Sequence, residues 1–118
     1  MDSERPLTRG GIYLARLDPS LGAEVGKLRP VVILTAQALL DVDPPVLFIC
    51  PLSSQSDPAY EPLHLAVPAR DSLRQQSYAL AEHCRAISRR RIRSDRLAIL
   101  TPGEIDQILH RLHRLIGR

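Results

Sequence analysis

A succession of short apolar runs, each cut off by proline-bearing turns, limits what this chain can fold into. Gly11-Ile-Tyr-Leu-Ala-Arg-Leu17 runs into the turn formers Asp18-Pro-Ser-Leu-Gly22. Pro30-Val-Val-Ile-Leu-Thr35 and Val46-Leu-Phe-Ile-Cys-Pro-Leu52 are continuous aliphatic and β-branched stretches separated by Asp41-Val-Asp-Pro-Pro45. Runs this short and this rich in β-branched residues favour buried strands over helices. Ser53 to Pro62 is polar and proline-bearing, so it reads as a surface loop. Leu63, Leu65 and Val67 then alternate with His64 and Ala66 in a half-buried strand pattern, and residues 68–76 form a further loop. With Ser77–Ala86 and Arg96–Leu100, about six strands are expected.

Only the C-terminus carries a helical period. Thr101-Pro-Gly-Glu104 places an N-cap hydroxyl, a proline at the first helical position and a carboxylate three residues on, which is the pattern of a capping box. Ile105, Ile108, Leu109, Leu112, Leu115 and Ile116 follow at helical spacing and form one apolar stripe. The expected fold is therefore mainly β, a strongly bent antiparallel sheet or partly closed barrel with a C-terminal α-helix, as one domain over residues 1–118.

Composition narrows the function classes. At 44% apolar content the chain can build a core without metal or disulfides, and Cys50 and Cys84 lack the spacing of a metal or redox pair, so both are expected to be reduced thiols. No apolar run approaches the roughly 18 residues that span a bilayer, which leads to the expectation of a soluble cytoplasmic protein with no membrane partner. Gly10-Gly11 precedes a strand instead of opening a helix, so no nucleotide cofactor is expected. The histidines and carboxylates, including Asp41 and Asp43, show no metal-ligand spacing, and no metal is expected either. The net charge is +3, but six arginines face a single aspartate between Arg85 and Arg96, an electrostatic footprint suited to nucleic acid or to an acidic protein segment.

Two positions stand out chemically. Arg29 lies between a loop holding Gly22 and Gly26 and the rigid run that begins at Pro30, so its planar fork of donors, matched to phosphate, is presented at a strand start. Ser53 and Ser54 emerge from the end of an apolar strand, where a hydroxyl can reach a phosphate oxygen. His64, His83, His110 and His113 are available as bases, but no nucleophile-elbow motif surrounds either serine. Glu24, Glu82 and Glu104 are scattered and form no carboxylate pair.

The order of segments is more specific than any one residue. Arg9-Gly-Gly-Ile-Tyr-Leu-Ala-Arg-Leu-Asp-Pro19, Gly22-Ala-Glu-Val-Gly-Lys-Leu-Arg-Pro-Val-Val32, Pro51-Leu-Ser53 and Cys84-Arg-Ala-Ile-Ser88, in that order, closely resemble the MazF/PemK family of toxin endoribonucleases. The resemblance implies an SH3-like small barrel of the CcdB/PemK type, a homodimer, and sequence-specific, metal-independent cleavage of single-stranded RNA at short sequences to 2′,3′-cyclic phosphate and 5′-hydroxyl ends. It implies a cognate antitoxin with an acidic, flexible tail, and no cofactor. Arg29 matches the family's catalytic arginine, and Ser53 stands where the family more often has a catalytic threonine. Glu24, Lys27 and Ser54 fall in supporting positions, and Arg85, with Arg89 and Arg90, falls in a block expected to bind RNA. Ser88 departs from the pattern, since an aspartate is frequent there. Because an arginine with an ordinary pKa above about 12 is a poor base, charge stabilisation is the expected role of Arg29. A CcdB-like toxin that binds gyrase, or an SH3-like binding module, is the alternative from other classes.

Overall fold

The computed structural model describes residues 6–19, 21–23 and 26–118. Seven strands form one antiparallel sheet: β1 (Gly11–Arg16), β2 (Leu28–Ile33), β3 (Val46–Ser53), β4 (His64–Val67), β5 (Ser77–Leu80), β6 (Arg85–Ser88) and β7 (Ile92–Ile99). A short helix α1 (Gln37–Leu40) follows β2, and α2 (Pro102–Leu115) ends the chain. The strand order is β4-β5-β3-β2-β1-β7, with β6 also paired to β3. The two outermost strands are not paired to each other, so the sheet is bent but not closed.

The expected six strands become seven because the run read over Ser77–Ala86 is broken by a 3-10 turn at Ala81–His83, giving β5 and β6. Both halves lie along the same edge of β3: Leu52 pairs with Ala79, and Ile49 with Arg85. The loop expected over residues 53–62 contains a second 3-10 turn, Pro58–Leu63, capped by Asp57, whose Oδ1 accepts from Ala59 N at 2.9 Å. The last strand begins at Ile92 instead of Arg96, because Arg93 and Asp95 are carried on solvent-facing positions.

The continuous apolar runs have a simple cause: the central strands are buried on both faces. Ile12, Val32 and Leu52 pack with Leu100, Ile105 and Ile108 beneath α2. Their neighbours Tyr13, Val31 and Ile33 pack on the opposite face with Leu47, Ile49, Ile87 and Ile92. Cys50 is buried, Cys84 is partly exposed, and both are free thiols. A hydrogen bond with Cys84 and burial push the Cys50 thiol well above its usual range.

Helix α2 begins as its sequence predicts. Thr101 Oγ1 accepts from Glu104 N at 3.1 Å, and Glu104 Oε1 accepts from Thr101 N at 2.9 Å. Glu104 also receives both arms of Arg70, at 2.6 and 2.7 Å, a bidentate pair that ties the loop after β4 to the helix start. That bond from Arg70 holds the Glu104 carboxyl below its ordinary value despite some desolvation. A depressed carboxyl stabilises the fold above its unfolded pKa, and this contribution disappears as pH falls through the folded value. Glu104→Gln is accordingly expected to lower the thermal midpoint at pH 7, with the gap from wild type closing in acid, read from melting curves between about pH 7 and pH 3. A gap that does not change with pH would remove the ion pair from this account.

Candidate active site

The register between β2 and β3 pairs Val31 with Pro51 and Ile33 with Ile49. The ladder ends at Val31 and Pro51, and Arg29 and Ser53 lie just beyond it, each still within its own strand. A cleft of about 460 Å³ opens there, lined by Lys27, Arg29, Ser53, Ser54, Arg74 and Gln75 among others, and its charged lining is cationic among the described residues.

Local structure fixes each group. Arg29 is half-buried on β2, opposite Ala15 of β1, and its Nε–H donates to Gly26 O at 2.9 Å. One edge of the fork is held by the loop, which leaves the other N–H groups for an anion. Lys27 has a φ of 68°, a left-handed conformation uncommon for a side-chain-bearing residue. Its carbonyl accepts from Leu17 N at 2.8 Å, so the loop is strapped to the end of β1 immediately before Arg29.

Ser53 Oγ accepts from Gln55 N at 3.1 Å. The hydroxyl is therefore oriented by a backbone donor, and its own hydrogen remains available to donate. This supplies the restraint that a serine lacks relative to a threonine. Ser54 is exposed, and the strand ends before it. Glu24 lies outside the described residues.

Ser72, Arg74 and Gln75 reach the cleft from a loop that offered no motif. Arg70 and Leu73 exchange backbone hydrogen bonds at 2.9 and 2.8 Å, and Ser72 N donates to Leu97 O at 2.9 Å, which pins the loop onto β7. Only these long-range contacts bring Arg74 alongside Arg29, so no local signal could have marked it.

The arginine-rich block divides. Arg90 lines a second cleft with Arg16, Arg91, Arg93 and the single acid Asp18 among the described residues, and Leu28 is a wall common to this cleft and the first. A positive track thus runs from Arg29 across Leu28. Arg91 braces the turn after β1 by donating to the carbonyls of Arg16 and Asp18. Arg89 donates to Ile92 O at 3.0 Å, and Arg85 keeps a buried Nη1, so neither lines these two clefts.

On the other side of Ser53 a third cavity contains a chain of side chains. Ser56 Oγ lies 2.7 Å from His64 Nδ1, and His64 Nε2 lies 2.6 Å from Glu82 Oε2. Among the described residues, no three histidine, cysteine or carboxylate side chains gather in a way that could hold a metal ion. No helix is long and apolar enough to cross a membrane.

Residues 8–116 match the sequence profile of a family described as PemK-like, MazF-like toxin of type II toxin-antitoxin system. The fold is shared with a solved MazF from Deinococcus radiodurans, at 24% identity and a TM-score of 0.81, covering 98% of this chain and 100% of that one. A solved MazE–MazF complex from the same organism matches at 25% identity and a TM-score of 0.73, covering 96% and 98% of the two chains. An endoribonuclease in complex with its cognate antitoxin, from a mycobacterial species, matches at 19% identity and 0.67, covering 96% and 95%.

Proposed function

Because the chain belongs to the PemK-like, MazF-like toxin family of type II toxin-antitoxin systems, we propose that it is a metal-independent endoribonuclease that cleaves single-stranded RNA with Arg29 and Ser53. The observation that carries this reading is that Arg29 and Ser53 line one cleft whose charged groups, among the described residues, are Lys27, Arg29 and Arg74. The 2′-hydroxyl attacks the adjacent phosphate, bonds to phosphorus and displaces the 5′-oxygen, which leaves a 2′,3′-cyclic phosphate and a 5′-hydroxyl. Negative charge builds on the non-bridging oxygens as this happens. A guanidinium held by Gly26 and a hydroxyl held by Gln55 N–H are donors already in place for that charge, so little reorganisation is needed during the reaction. Lys27 and Arg74 draw the phosphodiester in, and Arg90 on the contiguous track guides the flanking chain.

The same positive track suits the acidic, flexible tail of an antitoxin, which would compete with RNA for it. Self-association is also part of the reading. Val46 and Phe48 stand exposed on β3, with Phe48 paired to an exposed Ala86, an apolar strip suited to a second copy of the chain.

Incubating the purified protein with a long RNA in EDTA, and mapping ends by primer extension, tests the proposal. Discrete cuts with cyclic-phosphate ends are expected, and intact RNA would refute it. Ser53→Ala is expected to reduce the cleavage rate by about 10-fold or more, beyond the effect of Ser54→Ala, because only Ser53 is oriented by a backbone donor. Equal losses in the two variants would remove Ser53 from its assigned role.

A further inference from the structure

We propose that Ser56, His64 and Glu82 form a proton relay that takes the 2′-hydroxyl proton from RNA bound beside Ser53. The inference rests on the ribonuclease reading above and supplies what that reading lacks. A guanidinium that stays charged can stabilise a phosphate but has no site to accept a proton.

The three side chains come from separate segments: the loop after β3, the start of β4, and the turn between β5 and β6. The fold assembles them into one hydrogen-bonded line, with contacts of 2.7 and 2.6 Å. An ionised carboxylate can only accept, so Glu82 requires the hydrogen on His64 Nε2. Nδ1 is then the lone-pair nitrogen, and the Ser56 hydroxyl donates to it. His64 is 8% exposed, so its ring is held in this orientation, while Ser56 remains half-buried at the wall of the cavity. That cavity, about 680 Å³, is lined by Ser53, Ser56, Tyr60, His64, Glu82 and His83 among others. Ser53 also lines the Arg29 cleft, so one RNA chain crossing Ser53 meets the phosphate clamp on one side and the relay on the other.

Glu82 Oε1 is buried with no hydrogen-bond partner among the described residues, and its other oxygen meets His64. Of the other charged groups near the ring, Asp57 and His83 line the same cavity, and Glu61 lines a neighbouring one with His64. Arg111 of α2 donates to the His64 carbonyl at 3.2 Å and to Gln107 O and Oε1 at 3.0 and 2.9 Å.

In the step itself, the 2′-proton passes to Ser56 Oγ as the Ser56 proton passes to His64 Nδ1. The O2′–P bond forms and the P–O5′ bond breaks. The departing 5′-oxygen takes a proton from water, and the imidazolium returns its proton to solvent before the next turnover.

The test is the pH–rate profile of single-turnover RNA cleavage in EDTA for wild type, His64→Gln, Ser56→Ala and Ser56→Thr. The wild type should lose rate on the acid side as the ring becomes protonated before substrate reacts. His64→Gln should remove this acidic limb and lower kcat by about 10²-fold or more with little change in KM, Ser56→Ala should do the same, and Ser56→Thr should retain activity. A purely structural bolt between the loop and the turn would instead lower thermal stability while the limb and kcat survive, and that result overturns the relay. An inactive wild-type protein would overturn the ribonuclease reading itself, whereas an active one whose acidic limb persists in His64→Gln sinks the relay alone.

Discussion

Arg29→Ala is expected to fold normally and to cleave RNA about 10²- to 10³-fold more slowly than the wild type, a loss of roughly 3–4 kcal/mol of transition-state stabilisation. The fold should survive because the side chain is only half-buried and its hydrogen bond goes to Gly26 O in a loop, where water can replace it. The rate should not survive, because no neighbour reproduces a planar fork at that strand position. Lys27 is exposed and sits on a left-handed backbone, and Arg74 approaches from a different loop. Arg29→Lys separates charge from shape: it restores a point charge without the bidentate geometry, so partial recovery is expected. Single-turnover cleavage of an RNA with one mapped site, with circular dichroism to confirm folding, gives both answers. Unchanged cleavage by Arg29→Ala would end the assignment.

The largest stability loss is expected at Ile108. It is fully buried in the cluster that joins α2 to Ile12, Val32, Leu52 and Leu100. Ile108→Ala removes packed methyl groups and leaves a cavity between a helix and a sheet, at a cost of about 2–5 kcal/mol, or about 10–20 °C in thermal midpoint for a domain of this size. The damage should spread to the cleft, because α2 holds Arg70 through Glu104, and Arg70 belongs to the loop that carries Arg74. Leu115, at 45% exposed, is the control, and its alanine variant should shift the midpoint by only a few degrees. Melting curves that place both variants together would show that α2 is not docked through Ile108.

The sequence revealed elements wherever burial was two-sided or a cap was explicit. The apolar runs at Pro30–Thr35 and Val46–Leu52 became β2 and β3 because no alternation is needed when both faces are covered. Thr101-Pro-Gly-Glu104 became the start of α2 because the capping chemistry is local. Asp57-Pro58 carries a related signal and does cap a 3-10 turn, although the surrounding polarity reads as loop. The division of Ser77–Ala86 was not legible, since Ala81-Glu82-His83 contains neither glycine nor proline. For the site, Arg29 and Ser53 could be singled out from position and resemblance, and both line one cleft. Arg74 and the Ser56–His64–Glu82 line were beyond reach, because they exist only where segments distant in the chain meet.

The pairing of β1 with β7 has a consequence for synthesis. β1 emerges early, but one of its two neighbours, β7, is made after the other described strands, and the loop that completes the Arg29 cleft is itself pinned to Leu97 of β7. A chain still growing on the ribosome therefore carries Arg29 and Ser53 without the cleft wall that Arg74 provides. Contacts between such distant segments also form slowly compared with local ones. A protein built this way closes its cleft only after both strands that flank β1 have been made.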